Sequence, residues 1–332
     1  MSWTIGNYAL SQAQMNANAV EVYKYFSGRG WSLNAIAGIL RNMQSESYVN
    51  PGVWQNLNEG NYSGGFGLVQ WTPATNYTNW ATANGYSITD PNGQLYWIDT
   101  LSESTGQWIP TSSYNMSWVA FKTSGSSPED LASAFLKNFE RAGVEVESAR
   151  RSQARSFYNL LSQYGANSKA IESAVEWAIG IANDNSHGYD QGNRWGPDYD
   201  CSSLLITAYQ QAGIKVKDAG ATYTGNMYAA FKSCGFQDVT GSVNLSSGSG
   251  VQRGDILLNM ASHTAMSIGN GQVVQASQNE NGGATGGATG DQTGQEIWCT
   301  SYYNFPWDYV LRLPGGSTGT TTSVYIVQWI PG

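Results

Sequence analysis

Charged residues are scarce in this 332-residue chain, at 12% of the total, and histidine occurs only twice. The remaining imbalance is acidic, with a formal net charge of −8, whereas nucleic-acid-binding proteins present basic patches. No apolar run approaches the ~20 residues of a membrane span, and the N-terminus lacks a basic-then-apolar leader. Three cysteines cannot complete a disulfide set. We therefore expect free thiols, no nucleic-acid partner, no membrane insertion and no signal peptide.

Glycine and aromatic residues are plentiful instead, with 39 Gly, 13 Trp and 20 Tyr. The length suffices for two domains, each with its own core. Helical spacing is strong from Pro128 to Leu161, and a new amphipathic helix is predicted from Ile171, after the stretch Gly-Ala-Asn-Ser at 165–168. Short strands and glycine turns dominate from Gly213 onward. The pattern predicts an α+β protein with domains at 1–165 and 166–314, followed by a linker and a strand-like stub at 315–332.

Cys201 precedes an apolar helical stripe in the stretch Asp-Tyr-Asp-Cys-Ser-Ser-Leu-Leu-Ile-Thr. Apolar residues recur at three- and four-residue spacing as far as Ala212, and Gly213 ends the predicted helix. Unpaired N–H groups and the helix dipole favour negative charge there, which predicts a lowered pKa for the thiol. An unselected free cysteine is more often a small buried residue, and Cys234 and Cys299 are interpreted so. Polar and acidic neighbours make Cys201 the candidate nucleophile.

His263 opens a segment that alternates between polar and apolar residues, turns at Gly-Asn-Gly and alternates again as far as Ala276. This pattern predicts a β-hairpin with His263 at the start of its first strand. A cysteine at a helix start facing a histidine at a sheet edge is the arrangement of a thiol nucleophile with its general base. The sequence therefore indicates a hydrolase.

Three ordered blocks carry a family resemblance: Tyr-Asp-Cys-Ser-Ser, Arg-Gly-Asp-Ile-Leu-Leu and His-Thr-Ala-Met-Ser-Ile-Gly-Asn-Gly. Residues 169–314 resemble the NlpC-type and CHAP-type cysteine peptidases and amidases of bacterial cell walls, especially those of bacteriophages. The resemblance implies a papain-like fold, a helix packed on an antiparallel sheet, with Cys201 as nucleophile and His263 as base. A polar residue twelve positions after the base orients it. Here that residue is Gln275, whose carbonyl can accept a hydrogen bond from the ring.

Asp200 stands immediately before the nucleophile, where its negative charge alone would raise the thiol pKa. A residue that hinders the chemistry can serve binding, and the resemblance implies that this position holds an amine or peptide N–H of the stem peptide. The alternative is an aspartate that caps the helix. Both interpretations stay open at the level of sequence.

Glu46 lies at the end of another predicted helix, which has Ser32 as its candidate N-cap. Apolar residues at helical spacing form one face: Ile36, Ile39, Leu40 and Met43. Glu46 continues that face, and a carboxyl group partly buried against apolar neighbours has a raised pKa. Such a group can protonate a glycosidic oxygen as a general acid. From spacing alone, a helix-end glutamate satisfied by hydrogen bonds is the alternative.

The segment after Glu46 is rich in glycine and aromatic residues and includes Gly-Gly-Phe-Gly-Leu-Val-Gln-Trp-Thr. Residues 3–164 resemble the lysozyme-like domains of bacteriophage tail lysins. In those domains Asn-Met-Gln-x-Glu-Ser ends the acid-bearing helix and Gly-Leu-x-Gln-Trp lines the sugar cleft. The resemblance implies a mainly helical fold, Glu46 as catalytic acid, and Gln70 and Trp71 as substrate-binding residues.

The second carboxylate of this domain has two candidates. Glu59 lies in the predicted strand region, where a partner carboxylate would belong in the lysozyme-like fold. Glu140 precedes an arginine at a predicted helix end, a pairing that is more often structural. Some relatives of lysozyme use one acid, so the assignment of Glu46 does not depend on a partner.

These features predict a bifunctional peptidoglycan hydrolase: a muramidase-like glycosidase joined to a cysteine amidase or endopeptidase that acts on the stem peptide. The expected partner is bacterial peptidoglycan, and the resemblance admits other phage tail proteins, with action from the virion tail or after release. No metal or cofactor is expected. The alternative is a non-enzymatic wall-binding tail-tip protein with degenerate hydrolase folds, against which the retention of Cys201, His263 and Glu46 argues. The sequence does not determine which bond of the stem peptide is cut. It also leaves open whether the first domain catalyses hydrolysis or transglycosylation.

Overall fold

The computed structural model describes residues 3–141 and 147–315. The chain divides into two compact units, Met1–Gln163 and Tyr164–Gly332. The predicted linker and stub at 315–332 lie outside the described residues except for Gly315. Within the described ranges, no helix is both long enough and apolar enough to cross a membrane.

The first unit is helical. Its helices are α1 (Gln12–Ser27), α2 (Leu33–Ser47), α3 (Thr75–Ala83), α4 (Pro91–Tyr96), α5 (Trp118–Thr123) and α6 (Pro128–Phe135), with 3-10 or π turns at Gln55–Leu57, Trp97–Leu101 and Leu136–Glu140. The predicted cap of α2 is confirmed, because the Ser32 side chain accepts a hydrogen bond from the Ala35 N–H at 3.1 Å.

Helix α2 lies in the core of this unit and packs against α1 and α6. Gly38 permits the close approach to α6, since a Cβ there would lie 2.9 Å from the Ala132 nitrogen. The C-terminal end of α2 carries Glu46, and Tyr48 caps it in the left-handed conformation at φ 57°. Rigid packing of the helix therefore fixes where the candidate acid emerges.

One helix, α7 (Glu147–Ala182), runs through the position where a domain boundary and a new helix were predicted. Gly165 lies inside it, although an interior glycine costs a helix about 1 kcal/mol relative to alanine. Ser168 returns its hydroxyl to the Tyr164 carbonyl at 2.9 Å, one turn earlier. The polar Gly-Ala-Asn-Ser stretch is thus helical, and the prediction of a fresh helix start after it is wrong.

The second unit packs helices on one antiparallel sheet. Its remaining helices are α8 (Cys201–Gln211) and α9 (Thr224–Ser233), and its strands are β1 (Gln237–Asp238), β2 (Ile256–Asn259), β3 (His263–Gly269), β4 (Gln272–Ala276), β5 (Ile297–Ser301) and β6 (Tyr309–Arg312). The strands lie in the order β1-β6-β2-β3-β4-β5, with every pairing antiparallel. The predicted α+β class, with a helical first part and a helix-on-sheet second part, is confirmed.

The predicted hairpin is confirmed as β3 and β4, with Gly269 and Asn270 at positive φ in the turn. Helix α8 packs against both strands of this hairpin. Helix α9 was missed in a stretch expected to hold only strands and turns. Its buried apolar residues, Met227, Ala230 and Phe231, recur at helical spacing but are too few to stand out in the sequence.

Candidate active sites

Glu46 lines a cleft of about 330 Å³ in the first unit and is half-buried there. The other lining residues are neutral: Ser45, Tyr48, Val53, Trp54, Gln55, Asn56, Leu57, Gln70 and Thr72. Glu46 is therefore the one carboxylate among the described residues of this cleft. Hydroxyl, amide and aromatic groups around a single carboxyl suit a neutral, hydroxyl-rich ligand.

Of the three residues predicted from sequence to act beside Glu46, two do not line the cleft. Trp71 is only 3% exposed and stacks on Tyr77 with ring centroids 4.4 Å apart, so it belongs to the core. Glu59 is exposed in a turn. Neither Glu59 nor Glu140 is among the described residues that line the cleft. This geometry gives no support to Trp71 as a cleft contact or to Glu59 as a partner carboxylate, and both roles stay predictions.

Gln70 does line the cleft, with a left-handed backbone at φ 50°. Its side-chain nitrogen donates to the carbonyls of Val53 and Gly67, each at 3.1 Å. The side chain thus holds the two edges of the loop together while its residue faces the cleft. Its role in substrate binding stays a prediction.

Cys201 begins α8 and is 6% exposed. The backbone N–H groups of Thr264 and Ser202 lie close enough to its sulfur to lower the pKa of the thiol. Because Thr264 follows His263 on β3, the sulfur lies beside the strand that carries the candidate base. The fold therefore brings together two residues that stand 62 positions apart (263 less 201) in the sequence.

His263 is held by the amide of Gln275 on the neighbouring strand, with 2.8 Å between Nε2 and Oε1. Since a carbonyl oxygen only accepts, Nε2 carries the proton and Nδ1 keeps the lone pair that a base needs. The rings of Phe305 and Trp307 lie 5.5 and 6.0 Å from the imidazole, centroid to centroid. The predicted contact between Gln275 and His263 is present, and its part in catalysis stays a prediction.

Burial governs the protonation of this pair. Burial raises the pKa of the Cys201 thiol and the Asp200 charge adds to this, while the N–H groups of Thr264 and Ser202 and the Arg194 charge lower it; the resulting pKa is about 11. Burial also lowers the pKa of His263, while the Gln275 hydrogen bond acts in the opposite direction. The prediction that the helix terminus lowers the thiol pKa is wrong for the free protein, where both partners are neutral at pH 7.

Asp200 is 3% exposed and its carboxylate is fully engaged. It caps α8 by accepting from the Ser203 N–H at 2.7 Å, and one of its oxygens lies 2.8 Å from Nε of Arg194. The Ser202 hydroxyl donates to the same carboxylate at 2.9 Å. This arrangement favours the capping interpretation over recognition of a stem-peptide amine, because no oxygen is left exposed for a ligand.

Residues 17–161 match the family described as phage tail lysozyme, and residues 196–274 and 273–328 match the family described as endolysin-like domain. The chain thus has two matched parts, which we name the phage tail lysozyme domain and the endolysin-like domain after the families that they match. Glu46 falls in the first match, and Cys201, His263 and Gln275 fall in the second.

Morphogenesis protein 1 of Bacillus phage B103 is a relative of this chain, 44% identical over 160 residues. That match covers 48% of this chain and 43% of the relative, so the chain spans less than half the length of that protein. A solved structure of an NLP/P60-family protein similar to lipoprotein, from Staphylococcus aureus, covers 92% of this chain and 99% of its own at 13% identity. Its TM-score of 0.31 is too low to bear on fold or function.

The endolysin-like domain has a cleft of about 800 Å³, which His263 lines. Polar and aromatic side chains line it, including Ser277, Gln278, Trp298 and Thr300. Apart from tyrosines, His263 is the one ionisable residue among the described lining residues. This cleft suits a ligand that binds through neutral hydrogen bonds and aromatic faces rather than through ion pairs.

Two tyrosines of the endolysin-like domain lie near the candidate catalytic groups and were not found from sequence. Burial, with a smaller contribution from a charge on Cys201, raises the pKa of Tyr189 and that of Tyr303 to about 12. The Tyr303 hydroxyl also contacts both Gln275 and His263. An abundance of tyrosine hides such residues, since no spacing rule connects an irregular loop to a site.

Proposed function

We propose that this protein is a phage cell-wall hydrolase with two activities on peptidoglycan. The phage tail lysozyme domain cleaves the glycan strand at the Glu46 cleft, and the endolysin-like domain cleaves an amide bond of the stem peptide with Cys201. The observation that carries the proposal is the position of the Cys201 sulfur beside β3, where His263 keeps a free Nδ1 and donates Nε2–H to Gln275.

The thiol chemistry follows from these groups. As the Cys201 sulfur attacks the carbonyl carbon, Nδ1 of His263 takes the thiol proton, and the carbonyl oxygen becomes an oxyanion. The N–H groups at the start of α8 supply positive charge for that oxyanion. The imidazolium then protonates the leaving nitrogen, which leaves a thioester on Cys201. Water, deprotonated by His263, releases the acid and restores the thiol.

The glycan chemistry rests on Glu46. Its carboxyl group protonates the glycosidic oxygen, and the bond to the sugar breaks as positive charge develops at the ring. With no second carboxylate among the described lining residues, Glu46 itself is the group that then removes a proton from the attacking hydroxyl. That hydroxyl belongs either to water or to the sugar, and the mass of the product distinguishes hydrolysis from transglycosylation.

Mass spectrometry of purified peptidoglycan after digestion tests both halves in the full-length chain. Cys201→Ser should abolish stem cleavage and spare glycan cleavage, while Cys234→Ser, the matched control, should leave both. Glu46→Gln should lower glycan cleavage by about 10²–10⁴ and spare the stem activity. If the unaltered chain binds walls but releases neither sugars nor peptides, the protein is a wall-binding component and the proposal is wrong.

The setting we propose is the virion tail. Support comes from the phage tail lysozyme match and from a relative named for morphogenesis, which point to a component that is built into the particle. Peptide mapping of purified virions should recover the protein at a fixed ratio to tail proteins. Recovery only from the lysed host would indicate a released lysin instead.

A further inference from the structure

The proposed activity of the endolysin-like domain depends on a neutral amide that must face one way. Gln275 has an oxygen end and a nitrogen end of nearly equal size. If the nitrogen end faced Nε2 of His263, it would donate to that nitrogen, and the ring proton would move to Nδ1. Nδ1 would then have no lone pair for the Cys201 proton. A carboxylate at this position would not have this problem, because its two oxygens are equivalent.

We propose that Tyr303 is the positioning residue that holds the Gln275 oxygen toward His263 and so selects the catalytic tautomer of the ring. The Tyr303 hydroxyl donates to Oε1 of Gln275, and its oxygen lies 3.2 Å from Nε2 of His263. Nε2 itself lies 2.8 Å from the same Oε1. Two donors therefore converge on one acceptor atom, which only the oxygen end of the amide can be.

The Tyr303 hydroxyl remains protonated, and its loop is held in position. Burial raises the pKa of Tyr303 to about 12, so its hydroxyl keeps its proton at neutral pH. The backbone of the preceding residue, Tyr302, fixes the loop, since its N–H donates to the Gly271 carbonyl at 2.7 Å. With the amide reversed, the Tyr303 oxygen would accept from the amide nitrogen, but the Tyr303 proton would lose Oε1 as its acceptor, and a buried donor without an acceptor disfavours that orientation.

The chain carries its own reference for a tautomer measurement. It has two histidines, and Nδ1 of His187 lies 2.6 Å from the Pro197 carbonyl oxygen, so this ring must carry its proton on Nδ1. Long-range proton–nitrogen NMR of the full-length chain, labelled with ¹⁵N-histidine, should therefore show one ring of each tautomer above pH 7. Tyr303→Phe should give His263 a mixed or Nδ1-protonated spectrum and leave His187 unchanged. Unchanged His187 signals also report that the variant is folded.

The control is Tyr302→Phe. This variant removes a hydroxyl of the same loop that does not contact Gln275, so the His263 tautomer should be the same as in the unaltered chain. Tyr303→Phe is also combined with Gln275→Glu, because a carboxylate has two equivalent oxygens and so has no reversed orientation. Tyr303→Phe should lower kcat for stem cleavage by about five- to tenfold with KM nearly unchanged, the effect of one hydrogen bond, and should cost less than about twofold in the Gln275→Glu background.

Two results would overturn the proposal: His263 stays protonated on Nε2 in Tyr303→Phe, or the variant costs as much in the Gln275→Glu background as alone. An equal tautomer change in Tyr302→Phe would also overturn it, because loosening of the loop would then explain the effect. The proposal rests on the proposed stem cleavage but can fail separately. If the unaltered chain cuts no stem peptide, the function falls while the tautomer measurement still decides the role of Tyr303.

Discussion

The Cys201 thiol of the free protein should react with iodoacetamide at pH 7 about a hundredfold more slowly than an ordinary cysteine. Only the thiolate reacts, and burial raises the pKa of Cys201 from 9.0 to about 11. At pH 7 this lowers the thiolate fraction from about 10⁻² to about 10⁻⁴. The rate should climb about tenfold for each pH unit until it levels near pH 11, because each unit multiplies the thiolate fraction by ten.

Peptide mapping by mass spectrometry after timed alkylation measures each cysteine in the same chain. Cys234, which is half-buried, is the internal comparison and should be modified before Cys201. Burial also raises the pKa of Cys299, so that residue should react slowly as well. Loss of stem cleavage should follow the modification of Cys201 and not that of Cys234.

Rapid alkylation of Cys201 at pH 7, at a rate that does not change between pH 7 and 9, would refute this reasoning. Such a profile means that the thiolate already exists beside an imidazolium in the free protein. The N-terminal N–H groups of α8 would then outweigh burial, as the helix-terminus argument from sequence expects. Burial of the sulfur and stabilisation by the helix terminus predict opposite orders of reaction for Cys201 and Cys234, so one experiment decides which effect is larger.

Three further outcomes follow from the same geometry. Stem cleavage should persist below pH 6.5, since burial lowers the pKa of His263 and keeps the base neutral as the pH falls; a pH–rate profile of kcat/KM checks this. Asp200→Asn should lower the free energy of unfolding by about 1–3 kcal/mol in thermal or urea unfolding, because it breaks the ion pair with Arg194, and should leave KM unchanged; a raised KM at unchanged stability would support amine recognition instead. Glu59→Gln should release reducing-end sugars at the unaltered rate, because Glu59 lies in an exposed turn away from the Glu46 cleft, and a large loss would restore it as the second carboxylate.

Periodic and capped segments were predictable from sequence because the local pattern itself specifies them. The helix after Cys201, the hairpin from His263 and the cap at Ser32 each combine a stop or cap residue with regular apolar spacing. The order of these motifs also placed the nucleophile, the base and Gln275 on adjoining elements. What the pattern fixed was the backbone position of each group.

Burial and side-chain direction were not predictable in the same way. Trp71 follows a residue in the left-handed conformation, and this turn sends the indole into the core rather than along the cleft. Tyr303 sits in an irregular loop, where no period relates it to His263. The sign of the Cys201 pKa shift depends on how completely the fold covers the sulfur, and the sequence shows only that a helix starts there.

A buried neutral thiol is compatible with catalysis and explains the composition of the site. Burying a thiolate and an imidazolium would carry a desolvation cost that the resting state avoids by keeping both groups neutral. The charges nearby are engaged elsewhere, as in the pair of Asp200 with Arg194. In the proposed mechanism, ionisation is delayed until a substrate carbonyl is present and the oriented N–H groups of α8 can act on the charge that develops. The same delay protects Cys201 from oxidation, which proceeds through the thiolate.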